Sequence, residues 1–135
     1  MLAGSYAVIK RCVRYRRMLG GAMRQVGIFA AAGLYALDHN IERLADDHAN
    51  ARLIAKRVSR STKITLDPAA VQTDILVFDL APDGADAPTL VTQAKEHGVL
   101  ILAFGPRTIR AVTHLDLTRE NCERAADVLV EIIGE

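Results

Sequence analysis

The chain has 135 residues, half of them apolar, with 17 Lys and Arg against 16 Asp and Glu. That length excludes more than one full domain but allows a real core, and near-neutral charge argues against a dedicated nucleic-acid binder. Four per cent aromatic residues and no tryptophan weaken any base-stacking platform.

The mean charge hides an asymmetry. Up to Arg24 the basic residues are Lys10, Arg11, Arg14, Arg16, Arg17 and Arg24, with no acid among them, and the rest of the chain is net acidic. A basic first helix on an acidic body suits an acidic partner, an anionic ligand or another part of a larger protein. Cys12 and Cys122 lack metal-site or redox-pair spacing and are expected reduced and buried, as in a cytosol. The opening apolar run is too short for a signal peptide, and the run over residues 26–37 is too short to cross a bilayer.

In chain order, residues 5–18 place Ala7, Val8, Cys12, Val13 and Tyr15 three to four apart between arginines, which predicts an amphipathic helix. Gly20-Gly21 breaks it, since paired glycines admit positive φ and close approach. A second helix is expected over 23–37, rich in small residues and buried nearly all round. Arg24 then falls in its first turn, near N–H groups with no intrahelical partner. Dipole, donors and guanidinium together make a seat for a phosphate or carboxylate; a plain helix corner with a surface arginine is the alternative. Asn40 is the expected N-cap of a third helix over 41–59, with Ile41, Leu44, Ala45, His48, Ala51, Leu53, Ile54 and Val58 as its stripe. His48 reads as a satisfied core histidine rather than a ligand.

The period changes after residue 60. Strands are expected at 63–66 and 73–80, split by a turn at Asp67-Pro68, with Asp79 facing solvent. A loop over 81–87 leads to a helix with Pro88 in its first turn, closed by Gly98. Residues 99–104 read as a buried strand and 108–114 as an alternating one, with Ile109, Ala111 and Thr113 on one side and Arg110, Val112 and His114 on the other. Thr118 caps a last helix to about 133, with Glu120 in its first turn and Ala125, Val128, Leu129 and Ile132 inward. The order predicts connecting helices over 1–60, then a small α+β domain over 61–135. Its three or four mostly antiparallel strands carry helices on one face.

Two arginine positions stand out: Arg24 beside its glycines, and Arg107 with Arg110 on a strand. An arginine within an otherwise apolar strand is costly to bury without an anion or carboxylate. Arg110 therefore meets either a ligand anion or an acidic residue such as Asp116, or lies on an exposed face.

Several separated segments resemble one family. Residues 16–25 (Arg-Arg-Met-Leu-Gly-Gly-Ala-Met-Arg-Gln), 30–37, 47–51 (Asp-His-Ala-Asn-Ala) and 110–116 (Arg-Ala-Val-Thr-His-Leu-Asp) are similar to the low-specificity L-threonine aldolases, in their C-terminal part only. The resemblance implies a pyridoxal-phosphate enzyme of the aspartate-aminotransferase fold type that cleaves L-threonine or L-allo-threonine to glycine and acetaldehyde. It puts Arg110 where the family binds the substrate carboxylate, a bidentate task suited to guanidinium, and Arg24 where an arginine reaches the cofactor phosphate of a neighbouring subunit. Arg17 stands where many members have an active-site lysine, and Ala22 where many have a third glycine. The family's cofactor-bearing lysine lies in a Ser-Lys-Gly segment before the first helix, with a stacking histidine further upstream; neither is present here. Lys10, Lys56, Lys63 and Lys95 lack that context, and residues 1–5 stand where the family's chain leads from the lysine into the helix.

The expectation is thus part of a cytoplasmic, homo-oligomeric lyase, with no catalytic residue, metal, nucleic acid or membrane assigned to it. The isolated chain is expected to be inactive. The alternative is a non-catalytic module that binds another protein or itself through the first two helices.

Overall fold

The computed structural model describes residues 2–134. The chain divides into two compact units, Met1–Glu42 and Arg43–Glu135, taken in turn.

In the first unit, residues 2–5 run without regular structure into helix α1 (Tyr6–Met18); Met1, the start of the stretch that leads into this helix, lies outside the described residues. The glycine pair ends α1 by a specific device. Gly20 takes φ 75, its N–H donates to the Arg17 carbonyl, and the Gly21 N–H donates to the Arg16 carbonyl at 2.8 Å. That is a Schellman cap, and it satisfies carbonyls that have no partner within the helix. A Cβ on Gly21 would stand 3.1 Å from Arg16 Cγ and 3.3 Å from the Arg16 carbonyl oxygen, so both glycines serve the turn.

Helix α2 spans Gly27–His39 rather than starting at 23. Gln25 adopts φ 54, a left-handed backbone that an α-helix does not admit, so residues 24–26 form a turn ahead of the helix. The expected burial of α2 is also corrected: no residue of α1 or α2 is buried, and Ile28 and Phe29 are 73% and 63% exposed. Nothing within the unit is large enough to cover a 13-residue apolar helix. Cys12, expected buried, is half-buried for the same reason.

The second unit opens with helix α3 (Leu44–Val58), followed by strand β1 (Ile64–Thr65), a 3₁₀ turn (Pro68–Ala70), β2 (Ile75–Leu80), α4 (Ala87–Glu96), β3 (Leu102–Ala103), β4 (Thr108–Val112) and α5 (Arg119–Ile133). Asn40 is the C-cap of α2, its N–H held by the Ala36 carbonyl, and so cannot cap α3. The helix begins three residues later than expected, with Arg43 at the N-cap position and no side-chain cap.

The four strands form an antiparallel sheet in the order β1-β2-β4-β3. Pairing of Leu76 with Ala111 and of Phe78 with Ile109 puts the larger apolar residues on one face. Against that face pack Ala51, Ile54, Ala55 and Val58 of α3, Leu90 and Ala94 of α4, and Cys122, Ala126 and Leu129 of α5. Small residues on the helices let them lie close to the sheet while Phe78, Leu76, Leu90 and Leu129 fill the space between, each burial stabilising by about 2 kcal/mol. The α+β architecture with helices on one face is as predicted. One strand differs: residues 99–101 form no ladder, and β3 is a two-residue, exposed edge strand. Its continuous apolar run reads as a buried strand, but the edge has only β4 to pair with.

Local chemistry sets the ends of the elements. Asp86 accepts the Thr89 N–H at 3.0 Å as the N-cap of α4, with Pro88 in the first turn, and Gly98 (φ 79) follows its C-cap. Thr118 and Asn121 form a reciprocal capping box at α5.

Candidate functional site

The sheet face away from the helices carries the arginine singled out in sequence. Alternation along β4 turns Ile109 into the core, so Arg110 projects from the other face, opposite Val77 on β2 and Leu102 on β3. Its neighbours there are apolar and uncovered, with Val77 43% and Leu102 61% exposed, and Ile75 and Val112 beside them. Arg110 itself is half-buried. Among the described residues it forms no ion pair or side-chain hydrogen bond. Asp116, the carboxylate weighed as its partner, instead faces His114 at 3.4 Å. A guanidinium on an apolar floor, without a side-chain partner among the described residues, can take a carboxylate in two parallel hydrogen bonds. Asp79, also on this face, is occupied by the Thr108 hydroxyl at 2.6 Å.

Arg107, the other strand arginine, does structural work. Its guanidinium donates to the carbonyls of Ala81 (2.6 Å) and Gly84 (3.3 Å), which holds the loop between β2 and α4. The same loop carries two acids whose carboxyls sit below their usual range. Hydrogen bonding from Lys63 lowers Asp83, and hydrogen bonding from Thr89 lowers Asp86, with Arg107 adding a favourable charge to each.

In the first unit, Arg17 lies in the last turn of α1 and Arg24 in the turn that precedes α2, one on either side of the glycine corner. Both are exposed. Arg24 is therefore not in the first turn of a helix, as expected from sequence, but three residues ahead of it on a turn shaped by Gln25.

Asp47, Asn50, Ser61 and Thr113 are buried polar residues, and of these the sequence pattern places only Thr113 on the inward side. Asp47 is 4% exposed, accepts two hydrogen bonds from Arg43 at 2.8 and 2.9 Å, and gives its backbone carbonyl to the Thr113 hydroxyl at 2.7 Å. That contact raises the Arg43 pKa further above its ordinary value. The Thr113 N–H in turn donates to the Asp74 carbonyl. Thr113 thus ties the end of β4, just past Arg110, to α3 and to the entry of β2. The signal was present: Asp47, Asn50, Ala51, Ile54 and Val58 share helical spacing, whereas His48, placed on the stripe, is only half-buried. Burial pushes the Cys122 thiol up, with the Asp47 charge in support, so it is a core residue and not a nucleophile. No group of His, Cys, Asp and Glu among the described residues could hold a metal ion.

The chain is 40% identical over 126 residues to the low specificity L-threonine aldolase of Escherichia coli (strain K12), covering 93% of this chain and 36% of that protein. It is 34% identical over 120 residues to the low-specificity L-threonine aldolase 1 of Arabidopsis thaliana, covering 87% and 33%. The chain thus spans about a third of the length of the curated relatives it matches. The ornithine aminotransferase of Plasmodium yoelii shares the fold, with TM-score 0.54 and 13% identity over 68% of this chain and 25% of that one. A family model described as beta-eliminating lyase matches residues 1–81. That match covers more than half of the chain's residues: the chain belongs to the beta-eliminating lyase family.

Proposed function

We propose that this chain supplies the small-domain part of a threonine-aldolase-like lyase that uses pyridoxal phosphate to cleave L-threonine or L-allo-threonine to glycine and acetaldehyde. The observation that carries the reading is Arg110, presented without a partner among the described residues on an apolar sheet face, within a segment that resembles the aldolases. Its guanidinium holds the α-carboxylate of the substrate by two parallel hydrogen bonds and so orients the amino acid. The apolar floor of Ile75, Val77, Leu102 and Val112 offers no polar group that would compete for that guanidinium. By the same resemblance Arg24, in the first unit, takes the cofactor phosphate of a neighbouring subunit, and Arg17 takes a peripheral active-site role.

The residues present fit the anionic ends of substrate and cofactor, but not the covalent attachment. Lys63 is engaged with Asp83, Lys10 lies over the Tyr6 ring, and no lysine here stands in a Ser-Lys-Gly context. When bound, pyridoxal phosphate supplies the electron sink for breaking the bond at the β-carbon. This chain contributes binding and orientation, and alone it is inactive.

The test has two arms. Incubated with pyridoxal phosphate and borohydride, the isolated chain should show no specifically labelled lysine; one labelled site would overturn its inactivity. Joined to the remaining two thirds of the Escherichia coli relative, it should release acetaldehyde from L-threonine. Arg110→Ala in that chimaera should lower kcat/KM about 100-fold, the loss of a charge-assisted bidentate contact; an unchanged value would refute the carboxylate role.

A second reading, self-association or docking through the first two helices, is favoured by their having no buried residue. It is compatible with a cytoplasmic homo-oligomeric lyase. Size-exclusion chromatography decides it: a stable, well-folded monomer would remove it.

A further inference from the structure

The second unit also contains a cleft of about 420 Å³, formed where the sheet edge comes apart. Leu102 pairs with Arg110 and Ala103 with Ile109. Continuing that register would set Ile101 opposite Ala111 and Val99 opposite Thr113, yet these residues form no ladder. The Gly98 turn carries residues 98–101 away from β4, with the Val99 N–H held back by the Ala94 carbonyl at 2.8 Å. The gap opens into the core between this segment and α5. Ile54, Ala111, Leu117, Cys122 and Leu129 line it, and Ala111 enters from the side of β4 opposite to Arg110.

The rim is polar and nearly all of it is already engaged. His114 faces Asp116, and Asn121 is used in the capping box. Glu123 and Asp127, the acids next along α5, pair with Arg119 and Arg57. Arg124 remains: this exposed arginine is among the residues that line the cleft, and it forms no ion pair among the described residues.

We propose that this cleft binds a small monocarboxylate with an aliphatic tail; its volume of about 420 Å³ lies in the range of small-molecule sites. The tail lies among the apolar side chains and the carboxylate sits on Arg124. One cation beside an apolar interior suits a single negative charge; a phosphate dianion would need more donors than the rim offers. The site makes no use of the lyase reading and stands or falls without it.

The test is a titration of the full chain, labelled with nitrogen-15, with hexanoate, hexan-1-ol and hexylamine. Hexanoate should shift the amides of Thr113, Cys122 and Ala125 saturably, with hexanol about tenfold weaker and hexylamine weaker still. Arg124→Gln, an exposed change, should weaken hexanoate about tenfold. Ala125→Leu, which fills the cleft, should abolish the shifts while the amide dispersion of a folded domain persists. Absence of saturable shifts, equal binding of all three compounds, or shifts confined to α1 and α2 would each overturn the proposal.

Discussion

Arg110 and Thr113 sit three residues apart and do opposite things. Arg110 is held in place by the strand but bonded to nothing among the described residues. Its replacement by alanine should therefore change the stability of the isolated chain by less than about 0.5 kcal/mol in urea unfolding. Thr113 is buried and its hydroxyl links the end of β4 to the Asp47 carbonyl. Thr113→Val keeps the shape and removes the donor, so it should cost about 1 to 2 kcal/mol in the same measurement. A pair of results in the reverse order would show that Arg110 has a structural partner. The two cysteines make a smaller contrast, since Cys12 is half-buried and Cys122 is buried with a raised thiol pKa. A thiol reagent should modify Cys12 well before Cys122.

At the scale of elements, helix ends carry much of the local specificity. The capping box of α5 satisfies two backbone donors at once, and Thr118→Ala should cost about 1 kcal/mol by thermal unfolding. The start of α4 adds a pH dependence. Asp86 is held below its ordinary value of 3.8 by its bonds from Thr89, and Asp83 below the same value by Lys63. A carboxyl whose folded pKa is depressed stabilises the fold above its unfolded pKa, and the contribution is lost as pH falls through both values. Melting temperature should therefore drop on acidification below about pH 4. Asp86→Asn, which keeps a good cap without the titration, should make that fall shallower. No change in slope would mean that the acid transition belongs to other groups.

For the whole molecule, the contrast lies between a unit with a core and a unit without one. Phe78 is the largest side chain fully enclosed by the sheet and its three helices. Phe78→Ala should cost about 3 to 5 kcal/mol and be visible as a lowered urea midpoint of the second unit. Helices α1 and α2 have 13 residues each, near the limit at which isolated helices are marginal, and neither buries a residue. In a monomeric preparation their amides should exchange hydrogen much faster than those of β2 and β4. Strong protection in α1 and α2 at low concentration would show that the helices are stabilised without a further partner.

What sequence alone established follows from local rules. Period-2 alternation put Arg110 and Ile109 on opposite faces; the glycine pair marked the end of α1; Pro88 and Thr118 marked two helix starts. These depend on backbone sterics and near neighbours, which a single chain spells out. Its four separated motifs also carried the family resemblance. Tertiary structure alone decided the rest. Whether the apolar run at 99–104 would be buried depended on a pairing partner that extends for only two residues. Burial of α2 depended on a covering surface that its unit lacks. Asp47 could be buried only because Arg43 neutralises it, and Thr113 bonds its carbonyl across 66 positions of sequence. The Arg43 pair is an i,i+4 contact that spacing can show; the Thr113 bond is long-range and fixed by packing, and no local pattern encodes it.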